Sequence, residues 1–225
     1  MPNFFTDNAD LQFQFNHLRI EELVEILEGG YRQTKAFDYA PASYAEATQN
    51  YRLVLSTVGD IAGEFVAPRA AAVDIEGATF FDGKVTLAKG TREAMEQLRK
   101  AELMGMTLPR ECGGLNFPVT VYTMAVEMIS RADASLMNLF GLQDIAQTIA
   151  KFGDDQQRAE FLPKLASGEC TGAMVLTEPE AGSDLQAVSV EAKQDADGQW
   201  RLSGVKRFIT NGCGDILLVL ARSEA

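Results

Sequence analysis

Over the first 170 residues apolar side chains recur every three or four positions; beyond that they alternate with polar ones. Helices are therefore expected first and strands afterwards, with a domain boundary near residue 170. Ile20, Leu23, Val24 and Leu27 make one face of a short helix, closed by Gly29 and Gly30, which suit a left-handed cap. Ser43 followed by Glu46 is a capping box. It opens a stripe of Tyr51, Val54, Leu55, Val58, Ala62 and Phe65 that Pro68 should end. A third helix fits 91–104, with Met95, Leu98 and Ala101 inward, and the prolines and glycines of 108–118 stop helix formation. After Pro118, a good first helical residue, Tyr122, Ala125, Val126 and Ile129 form another stripe. Asp133 can cap one further helix through Ile149, and Asp154 with Gln157 repeats the capping box ahead of Phe161, Leu162 and Leu165.

From Thr171 onwards TGAMVLT, AVSVEAKQD, WRLSG, VKRFIT and DILLVLAR read as strands joined by Gly and Asp turns. Val188, Val190 and Ala192 alternate as a half-buried strand should, and so do Trp200 and Leu202. The expected fold is α+β: an all-helical bundle, then the start of an antiparallel β-barrel or sheet. Its parts are 1–45 as an N-terminal extension, 46–170 as the helical domain and 171–225 as the β-domain. A sheet that stops just after a strand keeps open edges, so further sequence is expected beyond Ala225.

Charge narrows the partners. With 20 Lys and Arg against 32 Asp and Glu the net charge is −12, which disfavours nucleic acid and anionic lipid. The three cysteines, Cys112, Cys170 and Cys213, are far apart and carry no C-x-x-C spacing, so neither a disulfide framework nor a metal site is expected. They read as reduced thiols in a cytoplasmic protein. The first residues, broken by Asp7, Asn8 and Asp10 with no basic residue before Arg19, are not expected to act as a signal peptide, and no run approaches about 18 apolar residues.

Two segments carry candidate chemistry. VLTEPEAGSD, from Val175 to Asp184, reads as a strand ending in the Thr177 hydroxyl, then a loop whose Gly182 and Ser183 permit close backbone approach to a ligand. On composition alone the segment reads as an ordinary loop, since Pro, Gly, Ser and Asp are common turn residues. LSGVKRFITNG, from Leu202 to Gly212, reads as a tight turn and a strand bearing Phe208, Ile209 and Thr210; its plainest reading is a hairpin with a buried Phe. Glu178, Glu180 and Asp184 are expected as solvent-exposed loop-capping carboxylates. His17, the only histidine, is expected at a helix start, Cys112 as an unreactive thiol, and Met124, Met128 and Met137 as core filler.

Together, VLTEPEAGSD and LSGVKRFITNG resemble the acyl-CoA dehydrogenase family, as do GDDQQRAEFLPKLASGE and DILLVLAR. The similarity is strongest from about Arg92 onward, while 1–45 look like the N-terminal extension of longer members. The resemblance implies an FAD-dependent enzyme that removes two hydrogens from the α and β carbons of an acyl-CoA thioester, passes electrons to an electron-transferring flavoprotein and forms a homo-oligomer. An acyl-CoA oxidase resembles it equally at these residues, and a non-catalytic acyl-CoA or interaction module is the alternative from another class. It further implies that Thr177 is the hydroxyl donor to the flavin ring, with Met174 and Leu176 on the strand beside it. Gly182 and Ser183 become the loop touching cofactor diphosphate and, for Ser183, acyl-CoA; Phe208, Ile209 and Thr210 become the segment packed against the flavin. Phe208 stands where the family often has Trp, and lacks the indole N–H. Lys206 or Arg207 is expected to compensate substrate phosphates. The family's base is a glutamate of a C-terminal helical domain, so no catalytic residue is assigned and this chain alone is expected to be inactive.

Overall fold

The computed structural model describes residues 2–223. It begins with two short helices, α1 (Ala9–His17) and α2 (Glu21–Leu27). Asn8 caps α1, its side chain accepting from the amides of Asp10 and Leu11, and His17 is the last residue of that helix rather than the start of one. Its ring stacks on Phe13 one turn earlier, with Nδ1 2.7 Å from the Phe13 carbonyl oxygen. Phe5, Leu11, Phe15 and Val24 are buried in the same core as Tyr51, Leu55 and Leu98. Gly59 permits the close approach this requires: a Cβ there would lie 2.2 Å from Asn3 Oδ1.

Helix α3 (Tyr44–Asp60) starts where the capping box predicts, with Ser43 accepting from the Glu46 amide. The helical path does not stop at Pro68. A wide turn over Ile61–Val66, in which the Ala67 amide donates five residues back to Ala62, leads into a tight turn over Ala67–Arg69 and then α4 (Ala70–Glu76). The changed register accommodates the missing proline N–H, and the Arg69 guanidinium donates to the Phe65 carbonyl at 2.7 Å.

One exposed hairpin, β1 (Thr79–Phe81) and β2 (Lys84–Thr86), interrupts the otherwise helical first part, against expectation. Its Asp82-Gly83 turn, with φ of 48° and 74°, is the primed turn that hairpins prefer. Helix α5 (Lys89–Lys100) ends before 104, and Glu102 takes a left-handed φ of 57°. Pro118 caps α6 (Val119–Ala132) from outside instead of being its first residue. Met124 and Met128 are in the core and Met137 packs against it, as expected. The expected single helix after Asp133 is two, α7 (Ala134–Leu142) and α8 (Ile145–Phe152). The break falls where two side chains serve other elements: Gln143 Nε2 donates to the Leu165 and Cys170 carbonyls, and Asp144 accepts from the Thr107 hydroxyl at 2.6 Å. The Asp154–Gln157 capping box is present at the start of α9 (Asp155–Ser167).

The helical part is followed by a small sheet region, as expected, but its pairing is mixed. Strand β3 (Gly172–Val175) pairs in parallel with β6 (Ile216–Val219). Strand β4 (Glu191–Gln194) pairs antiparallel with β5 (Trp200–Ser203) and parallel with β7 (Arg222–Ser223). Residues 176–215 supply the long connection that a parallel pair needs. Trp200 and Leu202 are 58% and 54% exposed rather than half-buried, and the VKRFIT segment is not a strand.

Candidate functional site

The end of β3 delivers Met174, Leu176 and Thr177, all half-buried, to the start of a loop. Pro179 and the Glu178–Ala181 bridge turn the chain sharply, leaving Gly182, Ser183 and Asp184 exposed. Asp184 accepts from the Gln186 amide, the local capping expected of it. Glu178 departs from expectation. It is 4% exposed and accepts four hydrogen bonds: from the Ser189 amide (2.6 Å) and hydroxyl (2.8 Å), the Val190 amide (3.0 Å) and Lys206 Nζ (2.8 Å). Desolvation pushes its pKa up, but the bonds from Lys206, Ser189 and Val190 outweigh that and hold it at about 2. A carboxylate so held is a strut and not a proton acceptor.

The second segment runs back along β3. The Arg207 amide donates to the Thr177 carbonyl at 2.9 Å, Lys206 Nζ donates to the Leu176 carbonyl at 2.8 Å, and Asn211 Nδ2 donates to the Gly172 carbonyl at 2.9 Å. The 206–211 loop is therefore pinned to the strand at both ends. Between the pins Phe208 adopts a φ of 57° and is 79% exposed, so the plain reading of a buried aromatic in a hairpin does not hold. Left-handed backbone at a bulky residue survives only where neighbours enforce it, and such residues gather at functional sites. Ile209 is half-buried and Thr210 exposed.

Thr210 also reaches the helical part, at a cavity of about 750 Å³ whose wall includes Thr91, Ala132, Asp133, Ser135, Asn138 and Leu139. Of its carboxylates, Asp133 is already engaged by the Ser135 amide and hydroxyl and the Leu136 amide. Among the described residues the hydroxyls of Thr177, Ser183 and Thr210 have no partner. Spare hydroxyls on the two joined segments, together with an exposed aromatic plate, suit a planar heteroaromatic ring with acceptor atoms on its edge, which is the chemistry of a flavin. The donor set thus fits the group that the sequence resemblance implies.

Other candidates fall elsewhere. Lys206 is committed to Glu178 and Leu176 and does not face solvent phosphate, whereas Arg207 is exposed and lies 4.5 Å over the Phe208 ring. Burial and, secondarily, Glu111 push the Cys112 thiol up, away from a reactive thiolate. Among the described residues no cluster of His, Cys, Asp or Glu is arranged to hold a metal. Sequence reasoning missed Lys206 as a partner of Glu178, Asn211 as the second pin, and Asp215, which accepts from the Thr171 amide at 2.8 Å. All three act across more than 25 residues of chain, as does the buried Glu28–Arg110 pair, and none carries a local signal.

The family model for the acyl-CoA dehydrogenase N-terminal domain matches residues 48–169, and that for the acyl-CoA dehydrogenase middle domain matches 173–225. A 3-methylmercaptopropionyl-CoA dehydrogenase of Ruegeria pomeroyi is 34% identical over 225 residues, covering 95% of this chain and 35% of that protein. The structure of butyryl-CoA dehydrogenase from Megasphaera elsdenii aligns with a TM-score of 0.66 at 28% identity, over 76% of this chain and 43% of that one. An acyl-CoA dehydrogenase from Bacillus anthracis, solved with FAD, aligns with a TM-score of 0.66 at 26% identity, over 78% of this chain and 29% of that one. The chain thus spans less than half the length of these proteins.

Proposed function

The chain belongs to the acyl-CoA dehydrogenase family, and from that premise we propose that it supplies the flavin-facing wall of an FAD-dependent enzyme oxidising an acyl-CoA thioester across its α–β carbon bond. The observation that carries this reading is the hydrogen bond from the Arg207 amide to the Thr177 carbonyl, which sets both motif segments side by side. When bound, the flavin supplies hydride acceptance. Thr177 and Thr210 would hold the ring through their hydroxyl donors and Phe208 through its exposed aromatic surface. Met174 and Leu176, on and just after β3, and Ile209 would help hold it, and Gly182 and Ser183 would bind the cofactor diphosphate, Ser183 also the acyl-CoA. The cavity beside Thr210 would receive the acyl group.

In this reading residues 46–170 wall the acyl group, 171–225 carry the cofactor surface and 1–45 form the extension. The α-proton acceptor is not assigned within the chain: Glu178 is held ionised by Lys206, and Asp133 is occupied by three donors. We extend the reading to a homo-oligomer in the cytoplasm that hands its electrons to an electron-transferring flavoprotein. Titration with FAD tests it. The Thr177→Ala variant should bind FAD about 5- to 150-fold more weakly, or show a displaced flavin absorption band, since an unmet buried partner costs about 1–3 kcal/mol. Unchanged affinity and an unchanged spectrum would remove Thr177 from the site.

A further inference from the structure

We propose that the buried Glu178–Lys206 pair is a positioning device that fixes the 206–211 loop against β3, and so sets where Phe208 and Thr210 stand relative to Thr177. The proposal rests on the flavin reading above. Lys206 Nζ reaches two acceptors at 2.8 Å, the Glu178 carboxylate and the Leu176 carbonyl, and these flank Thr177 on either side. The next amide, that of Arg207, takes the carbonyl of Thr177 itself. Three consecutive residues of one segment are thereby held by two consecutive residues of the other. Glu178 is in turn anchored by the Ser189 and Val190 amides, on the far side of the exposed Gly182–Ser183 loop. One carboxylate therefore ties together the strand end, the return of the glycine loop and the root of the aromatic loop.

The consequence falls on Phe208, the residue after Arg207. Its left-handed φ of 57° is unfavourable for an aromatic side chain, and without enforcement the backbone relaxes to negative φ, carrying the ring away. Asn211 also has a positive φ, 54°, but asparagine tolerates it, and it is pinned separately to Gly172. The ion pair thus bears on the end of the loop where the strained residue lies. Glu178 and Lys206 touch neither ring nor substrate in this scheme; they act through the backbone of Thr177 and Arg207.

Amide hydrogen exchange and FAD titration on the full chain test the proposal. Lys206→Met alone leaves a buried carboxylate unpaired, so it is paired with the double variant Glu178→Gln, Lys206→Met, which strands no charge. In the double variant the Arg207 amide should exchange at least about tenfold faster, a loss of about 1.4 kcal/mol of local protection, while amides of Ala173 and Val175 in β3 keep their protection. FAD affinity should fall by about the same factor, with a displaced flavin band. Arg207 exchange that is unchanged, or that rises only in step with β3, overturns the proposal, and so does faster exchange with unaltered FAD affinity. If the native chain binds no FAD, the flavin reading fails, and the exchange result still decides whether the pair fixes the loop.

Discussion

At the scale of single residues, Glu178 separates what a carboxylate can do from what its sequence position suggests. Lying between Thr177 and Pro179, it reads as a turn carboxylate, and nothing local announces Lys206 as its partner. The structure buries it with four donors and holds it ionised, its pKa lowered from 4.5 to about 2. Its folded-state value lies below the unfolded one, so the stabilisation is complete above about pH 4.5 and is lost as pH falls towards 2. Thermal melts across that window should show the native chain losing stability more steeply than Glu178→Gln; parallel acid limbs would contradict the assignment. Thr177 stands out in the sequence because hydroxyl, proline, glycine and serine follow one another within one short motif. Phe208 was legible as a residue type but not as a conformation, because its positive φ is imposed by bonds to a strand some 30 residues earlier in the chain.

At the scale of elements, the sequence speaks clearly wherever the interaction is local. Asp154–Gln157 is a full capping box, while at Ser43–Glu46 the Ser43 side chain accepts from the Glu46 amide but the Glu46 carboxylate accepts from the Ala42 amide instead of that of Ser43; both helices begin where those residues place them. Asp154→Ala should cost about 1 kcal/mol by removing the side chain that accepts from the Gln157 amide; urea denaturation measures it, and no change in midpoint would contradict the cap's role. Pro68 misleads for a physical reason. A proline forbids one amide hydrogen bond, and a widened turn before it removes the need for that bond. Strand partners are harder, since alternation fixes which face is buried but not which strand lies alongside. The parallel pairing of β3 with β6 depends on the path of 40 intervening residues, 176–215, and the exposure of Trp200 and Leu202 depends on what lies over β5.

At the scale of the molecule, one buried ion pair binds the start of the chain to its middle. Arg110 reaches Glu28 through two bonds, 2.6 and 2.9 Å long, and also donates to Gln33 at 2.7 Å, while Asn116 donates to the Leu27 carbonyl. Arg110→Ala leaves the Glu28 carboxylate buried and unpaired and should destabilise the fold by about 3–5 kcal/mol in urea denaturation. A loss under about 1 kcal/mol, typical of surface pairs, would mean the N-terminal segment is held by its apolar contacts alone. The central claim is likewise molecular in scale: two motifs some 30 residues apart in sequence form one wall for a flavin. A structure of the protein with FAD bound tests it most directly. The account predicts the flavin ring against Phe208, with the Thr177 and Thr210 hydroxyls within about 3 Å of acceptor atoms on its edge. A ring bound elsewhere, or one that meets Thr177 with the 206–211 loop turned away, would contradict it.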